Sequence, residues 1–272
     1  MKRSRNPTRA EWDAFVRDGP GVRMWKGQLT FFYKGEVLND GENDYLVYSK
    51  EERLKWQVII ILPEVEVIPE GTFSSCKNVK TVIMADTVKR IEENAFLFCF
   101  SLEYVRLSRN LEYIGESAFC FCSLTSIFIP PSCGEIGDEA LICEKLIIFS
   151  VPQTTQLGEN VIAATALIEA SPFELTHQHL YWQHEEVNAW IKNINQGDEF
   201  ALHRACSAVN PPLENDLVAI LKEQGLDAWR VPNAIDVTPL QYLEANPYAE
   251  IDEQEIVKKY ILEMMGEVVE QT

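Results

Sequence analysis

The sequence has few of the features that mark a membrane protein or a nucleic-acid-binding protein. Its longest run of Val, Ile and Leu covers only residues 58–62, whereas a bilayer-spanning helix needs about 20 apolar residues. Lysine and arginine number 24 against 42 aspartate and glutamate residues, giving a net charge of −18, and such a charge opposes binding to a phosphate backbone. We therefore expect neither a membrane nor a nucleic acid as a direct partner.

The sequence also shows no apolar signal segment after its basic first residues, Lys2, Arg3 and Arg5. This predicts a cytoplasmic chain, and a nuclear address in the same basic residues is the alternative interpretation. The seven cysteines are odd in number. In a chain without a secretion signal they predict reduced thiols rather than a disulfide framework.

Motifs of the common enzyme classes are missing as well. The sequence contains no phosphate-binding Gly-x-x-x-x-Gly-Lys-Ser/Thr, no dinucleotide-binding Gly-x-Gly-x-x-Gly and no Gly-x-Ser-x-Gly. His177, His179 and His184 are the densest group of candidate metal ligands, but no His-Glu-x-x-His pattern or cysteine pair accompanies them. We predict no catalytic residue, cofactor or metal site. A metal-dependent enzyme using these histidines is the least favoured alternative.

The sequence does contain an internal repeat of 21 to 23 residues. Ile68, Ile91, Ile114, Ile136 and Leu157 follow this spacing. Further columns keep the same phase: they are Phe73, Phe96, Phe119 and Leu141; Val82, Val105, Ile127 and Phe149; and Cys76, Cys99, Cys122 and Cys143. One such unit cannot bury its own apolar side, so successive units must stack, and the columns become interior ladders. We expect the cysteines of this column to be small buried residues rather than metal ligands, because stacking aligns their sulfurs in a row.

Two of these units carry a specific signature. Residues 91–99 read Ile-Glu-Glu-Asn-Ala-Phe-Leu-Phe-Cys, and residues 114–122 read Ile-Gly-Glu-Ser-Ala-Phe-Cys-Phe-Cys. Both resemble the Ile-Gly-x-x-Ala-Phe-x-x-Cys pattern of BspA-like leucine-rich repeats, and the resemblance covers about residues 57–168. It implies a β-solenoid that binds other macromolecules, often at cell surfaces.

Alternation along the predicted strands points one set of large side chains away from the core. If Val82 and Met84 face inward, then Ile83 faces outward. The corresponding outward residues of the whole sheet are Ile83, Tyr104, Arg106, Phe128 and Ile148. We call this set the sheet row and predict that it is an exposed protein-binding surface, because exposed apolar groups with an arginine typify such surfaces. A terminal segment folded over the sheet is the alternative.

The two ends of the chain differ from the repeats. Residues 1–56 predict an α/β capping region, with a capping box at Thr8 and Glu11 and a strand at residues 29–33. Residues 169–272 carry a net charge of about −13 and follow a helical period. Within them, residues 200–206 and 238–243 are similar to the Thr-Pro-Leu-His-x-Ala signature of ankyrin repeats, with Thr238 as the helix N-cap and Pro239 at the first helical position.

The predicted fold is therefore α+β: a short leucine-rich-repeat β-solenoid at 57–168, an N-terminal α/β cap at 1–56 and a C-terminal helical, ankyrin-like module at 169–272. The predicted function is a monomeric, non-enzymatic scaffold or adaptor that binds protein partners through the solenoid sheet and the acidic helices. A cell-surface or matrix adhesion protein, which the family resemblance implies, is the alternative.

Overall fold

The computed structural model describes residues 6–35, 48–152, 154–163, 167–169, 232 and 238–248. In chain order the elements are α1 (Arg9–Asp18), β1 (Gly21–Trp25), β2 (Gln28–Tyr33), α2 (Lys50–Arg53), β3 (Val58–Ile61), β4 (Val67–Ile68), β5 (Thr81–Met84), β6 (Arg90–Ile91), β7 (Tyr104–Arg106), β8 (Tyr113–Ile114), β9 (Ser126–Phe128), β10 (Glu135–Ile136), β11 (Ile148–Ser150), β12 (Gln156–Leu157), β13 (Leu167–Glu169) and α3 (Pro239–Ala245).

The repeats form a β-solenoid, because each coil contributes one strand to each of two parallel columns. The first column contains β2, β3, β5 and β7, followed by β9, β11 and β13 as a separate sheet. The second column runs from β4 through β6, β8 and β10 to β12. Pairing aligns Ile68 with Ile91, and Ile91 with Ile114. The in-phase ladders predicted from the repeat are confirmed.

The interior of the solenoid is filled by the repeat columns. The rings of Phe73, Phe96 and Phe119 form a continuous stack, with centroids 5.1 Å and 5.0 Å apart. All three side chains are fully buried. Their spacing is close to the strand separation of about 4.7–4.9 Å, so one ring per coil fills the core without a gap. The prediction that Phe96 and Phe119 are core residues is confirmed.

Between its two strands, each coil contains an arc of tight turns that carries the Ala-Phe-x-x-Cys segment. These arcs are also hydrogen-bonded to one another: the backbone N–H groups of Phe73, Phe96 and Phe119 donate to carbonyls one coil further on, each at 2.8 Å. Two positions of the arc are left-handed in successive coils, at Asn94 and Ser117 and again at Phe98 and Phe121. The hydrogen bonds keep the arcs at strand-like spacing where no strand is present.

The N-terminal residues extend the first column. The capping box of α1 forms as predicted: Glu11 N donates to Thr8 Oγ1 at 3.2 Å, and Thr8 N donates to a Glu11 carboxylate oxygen at 2.7 Å. The antiparallel hairpin of β1 and β2 follows, and β2 pairs in parallel with β3. The ring of Phe31 stacks on Trp56 at 4.2 Å, so the core continues into this part. A capping role for the whole of residues 1–56 stays a prediction.

Candidate interaction surfaces

The sheet row lies on the outer side of the first column, as strand alternation predicts, but it is not exposed. Ile83 is fully buried, and Arg106, Phe128 and Ile148 are also buried. Tyr104 is half-buried. The expected exposure of the row is therefore wrong, and two segments from opposite ends of the chain lie against the row from Ile83 to Phe128.

Helix α1 covers the first part of the row. Phe15, the buried residue of α1, packs tilted against Phe32 with ring centroids 4.8 Å apart. Phe15 and Phe32 belong to a second apolar cluster, which includes Ile60 and Ile83 and is bordered by Tyr104. The outward side chains of β2, β3 and β5 are thus packed beneath the helix. They form a core of their own on the far side of the sheet.

The segment that follows α3 covers the next part of the row. Tyr248 is only 2% exposed, and its hydroxyl donates to the backbone carbonyl of Leu107 at 3.1 Å, with the carbonyl of Phe128 at 3.4 Å. Burial raises the pKa of the Tyr248 hydroxyl well above its ordinary value, so the hydroxyl stays protonated as a donor. Helix α3 begins at the predicted N-cap Thr238, with Pro239 at its first position. That part of the C-terminal prediction is confirmed.

Arg106 holds the centre of the covered area together. Its Nη1 donates to the carbonyl of Met84 at 2.5 Å, and its Nη2 lies 3.0 Å from a carboxylate oxygen of Asp86. The guanidinium groups of Arg106 and Arg109 lie 5.6 Å and 5.7 Å from the ring centre of Tyr248. Strand alternation predicted Arg106 on an open binding surface. In the structure, Arg106 is instead paired with Asp86 and packed near Tyr248 within the chain.

Asn6 connects the two covering segments. The hydroxyl of Tyr104 donates to Asn6 Oδ1 at 3.1 Å, and the amide nitrogen of Asn6 donates to the backbone carbonyl of Pro247. Asn6, three residues before α1, and Pro247, directly before Tyr248, thus meet above the sheet row. Removing the side chains of Tyr104 and Phe128 is therefore expected to lower the melting temperature, contrary to what an exposed row predicts.

A different aromatic set is exposed on the arcs. Phe98, Phe100 and Phe121 are 38%, 49% and 39% exposed, and we call them the aromatic row. The rings of Phe98 and Phe121 are stacked with centroids 5.5 Å apart, and Phe100 lies 5.7 Å from Phe98. The sequence contains the signal for this row, since Phe98 and Phe121 occupy one phase of the repeat, directly before the cysteine column. Alternation along the strands does not indicate this row, because Phe98 and Phe121 lie outside the strands.

The backbone makes the aromatic row unusual. Phe98 and Phe121 have φ values of 60° and 57°, in the left-handed region. The preceding coil has Ser75 at this position, with φ of 61°. A bulky residue with positive φ is rare, because its Cβ approaches the backbone closely. Two phenylalanines therefore occupy a conformation that favours glycine or asparagine, while exposing more than a third of each side chain.

A row of carboxylates runs along the same arcs. It contains one exposed side chain per coil, and we call it the acidic row: Glu70, Glu93, Glu116, Asp138 and Glu159. Each member follows the column of Ile68, Ile91 and Ile114 by two residues. One side chain of this row bonds the next coil: Asp138 Oδ1 accepts from the backbone N–H of Glu159 at 2.7 Å.

The cysteine column is buried and structural. Cys76, Cys99, Cys122 and Cys143 are buried and free, as predicted. The thiol of Cys99 donates to the carbonyl of Phe73 at 3.2 Å, and that of Cys122 donates to the carbonyl of Phe96 at 3.3 Å. At the open end of the column, Arg53 Nη2 donates to the carbonyl of Thr72 at 2.9 Å and approaches the Cys76 sulfur at 3.7 Å. The thiols thus satisfy carbonyls of the neighbouring coil.

Their environment disfavours metal binding. Burial raises the pKa of the Cys76 thiol to about 12, whereas a zinc ligand is a thiolate. Within the part of the chain that the structure describes, no group of three or more His, Cys, Asp or Glu side chains is arranged to hold a metal ion. The histidines His177, His179 and His184 lie outside the described residues, as do residues 200–206 of the ankyrin-like pattern.

Among the described helices, none is long and apolar enough to cross a membrane.

Comparison with known proteins identifies the repeats. Residues 60–179, less than half of the chain, match in six copies the family described as BspA type leucine rich repeat region. No significant match was found among curated proteins.

Several solved structures are similar to part of the chain. A leucine-rich repeat protein from Bacteroides ovatus is 26% identical, with 54% of this chain and 36% of that chain covered and a TM-score of 0.41. The Treponema pallidum leucine rich repeat protein is 18% identical, with 52% and 62% covered and a TM-score of 0.37. The pneumococcal vaccine antigen PcpA is 27% identical, with 44% and 33% covered and a TM-score of 0.38.

The aligned part spans less than two thirds of each of these proteins. The matched columns of the repeat lie within the region of the six-copy match. Residues 60–179 are thus similar to BspA type leucine rich repeats, a class of repeat that generally mediates protein interaction or surface adhesion.

Proposed function

We propose that this chain is a non-enzymatic protein-interaction module that binds its partner through the aromatic row. The observation that carries the proposal is the exposure of Phe98, Phe100 and Phe121 on adjacent arcs. Exposed, clustered aromatic rings are typical of the residues that dominate interface energetics. The sheet row is covered by the chain itself, whereas the three rings of the arcs form a contiguous exposed aromatic cluster among the described residues.

Selection for stability does not explain the row. Folding is favoured when a side chain of this size is buried and its backbone is relaxed, yet Phe98 and Phe121 are more than one third exposed and have φ near 60°. Left-handed backbone costs about 1–2 kcal/mol for a residue with a Cβ. Contact between the two rings recovers about 0.5–1.5 kcal/mol at most. A binding role supplies the remaining advantage.

Affinity capture from cells tests the proposal. A partner that the wild-type chain retains is expected to be lost with Phe98→Ser/Phe121→Ser and retained with the matched control Val67→Ser/Ile147→Ser. The control removes two other exposed apolar side chains, which are 41% and 47% exposed. Equal capture by all three proteins would place binding elsewhere. All three must first show the same melting temperature to within a few degrees.

An adaptor inside the cell is our first candidate, and an adhesion protein at the cell surface is the alternative that the repeat family implies. Both use the same surface and differ in location. Antibody labelling of intact and permeabilised cells measures that difference directly: labelling only after permeabilisation supports the adaptor, and labelling of intact cells supports adhesion.

Two further parts of the proposal concern the covered regions. The predicted contribution of the acidic C-terminal residues, including the ankyrin-like pattern, lies mostly outside the described residues and stays a prediction. Partner binding by the sheet row requires that Tyr248 and its segment leave the sheet. Such binding is tested by the variant of Tyr248 described in the Discussion.

A further inference from the structure

The aromatic row alone exposes too little surface for a whole interface. A stable protein–protein interface buries about 800 Å² on each partner, which is several times what three half-buried rings can supply. The residues that border the rings must therefore make up the rest of the contact area. Their chemistry defines the partner that fits.

The acidic row lies on the same arcs as the aromatic row. Glu93 precedes Phe98 by five residues in one arc, and Glu116 precedes Phe121 by five residues in the next. The phenylalanine stack in the core sets the distance between these arcs at about 5 Å. Carboxylates and rings therefore form two parallel lines along the solenoid axis.

The carboxylates of the acidic row make no ion pair among residues 6–35, 48–152, 154–163 and 238–248. The basic side chains of neighbouring coils are directed elsewhere: Lys89 pairs with Glu66 at 3.1 Å and Arg90 with Glu92 at 2.7 Å. Like charges at such spacing repel one another. A cationic partner relieves that repulsion, whereas an anionic partner increases it.

One lysine lies beside a ring of the aromatic row, and a second bonds Ser123, two residues after Phe121. Lys77 Nζ is 5.6 Å from the ring centre of Phe100, and Lys145 Nζ donates to Ser123 Oγ at 3.3 Å. The first contact shows that the exposed ring faces attract an ammonium group. Both lysines are already engaged within the chain, and they are fewer than the five carboxylates.

We propose that the aromatic row and the acidic row together bind a cationic amphipathic segment of a protein partner. Its apolar side chains pack on Phe98, Phe100 and Phe121, and its lysine or arginine side chains pair with the acidic row. This inference rests on the proposed function and adds the chemical class of the partner. A helical segment suits the site, because one turn rises 5.4 Å and the arcs repeat at nearly that spacing.

Fluorescence anisotropy with two synthetic helical probes tests the proposal on the full chain. Both probes have about 18 residues with Leu on one side, and the other side carries Lys in one probe and Glu in the other. The Lys probe is expected to bind at least tenfold more tightly than the Glu probe, and the difference should shrink as salt is raised. Tighter binding of the Glu probe, or equal binding of both, would overturn the proposal.

Variants separate this site from general attraction to an acidic protein. Glu93→Gln/Glu116→Gln and Phe98→Ser/Phe121→Ser are each expected to weaken the Lys probe about fivefold or more. The matched control Glu51→Gln/Glu64→Gln removes two exposed carboxylates elsewhere and is expected to change affinity less than twofold. An equal loss with the control would show binding by net charge only and would overturn the proposal.

The probe and capture experiments fail independently. If the captured partner still depends on the aromatic row while the probes show no preference for positive charge, only the partner chemistry proposed here is wrong. If capture does not depend on the rings, the proposed function fails as well.

Discussion

Two surfaces of the same coils carry aromatic side chains that the core does not use, and the chain covers one of them and leaves the other open. On the sheet side, α1 and Tyr248 bury Ile83, Arg106 and Phe128. On the arc side, Phe98 and Phe121 stack on each other and remain exposed. The difference teaches that outward orientation and availability are separate properties. Strand alternation fixes the first, and distant parts of the chain decide the second.

The largest expected effect compares one phenylalanine from each surface. Phe128→Ala is expected to lower the free energy of unfolding by about 3–5 kcal/mol, the usual result of emptying a large buried aromatic site. Phe121→Ala is expected to lower it by less than about 1 kcal/mol, because its ring is 39% exposed. Urea denaturation of both variants measures the difference. Equal losses would remove the distinction between the surfaces.

The interior of the fold was predictable from the sequence because a solenoid repeats one local arrangement. Each coil buries the same phases, so the columns of Ile68, Phe73 and Cys76 reveal the ladder without any long-range information. The capping box at Thr8 and the N-cap at Thr238 were predictable for the same reason, since each depends on residues at most three positions apart. The core columns and the helix caps thus depend only on the spacing of residues that are near in sequence or in phase with the repeat.

The covered surface was not predictable in this way. The contact of Tyr248 with Leu107 joins residues 141 positions apart, and no repeat or motif connects them. The hairpin strand β1 was also not predicted. Its turn at Lys26 and Gly27 has positive φ at both residues. An Asn-Gly pair indicates such a turn strongly, whereas Lys-Gly indicates it only weakly. Arg53, which closes the cysteine column, lies outside the repeat and gives no periodic signal.

The second prediction opens the covered surface selectively. Tyr248→Ala is expected to remove about 2–4 kcal/mol of the free energy that holds the C-terminal segment on the sheet, since a buried ring and its hydroxyl contacts are lost. The solenoid core is not touched by this change. Hydrogen exchange should therefore increase around residues 104–107 and 126–128, while the amides of Phe96 and Phe119 stay protected.

The variant Tyr248→Phe is the control, because it keeps the ring and removes only the hydroxyl contacts with the carbonyls of Leu107 and Phe128. It is expected to cost about 1 kcal/mol. A partner captured more strongly by Tyr248→Ala than by wild type would support binding by the sheet row. Unchanged exchange in Tyr248→Ala would show that the C-terminal segment does not depend on this side chain for its position.

A third, smaller effect concerns the approach of the coils beneath the open surface. A Cβ at Gly137 would lie 2.7 Å from the backbone nitrogen of Glu116, whereas one at Gly134 would have its nearest neighbour at 4.0 Å. Gly137→Ala is expected to destabilise by about 1–3 kcal/mol through forced separation of the coils. Gly134→Ala should be nearly neutral. Thermal melts of both variants check this, and equal melting temperatures would contradict the tight packing of the arcs.

The smallest expected effect on stability is also the most direct test of why the open surface exists. Phe98 has φ of 60°, so replacing it by glycine removes a strain of about 1 kcal/mol, offset by the lower entropy of the unfolded phenylalanine chain. Its ring is 38% exposed, so the burial lost with it is smaller than at a core phenylalanine. Phe98→Gly is therefore expected to leave the free energy of unfolding unchanged or to raise it by up to about 1 kcal/mol, measured by urea denaturation.

The same variant is expected to bind the Lys probe at least threefold more weakly, because the central ring of the aromatic row is gone. Phe98→Ala separates the two contributions: it lacks the ring but retains the Cβ, so it should lose binding to the same extent without gaining stability. If Phe98→Gly is more stable and binds less well, the phenylalanine side chain serves binding rather than stability. If Phe98→Gly instead lost more than about 1 kcal/mol, the ring would be structural, and the two surfaces would differ only in degree of burial.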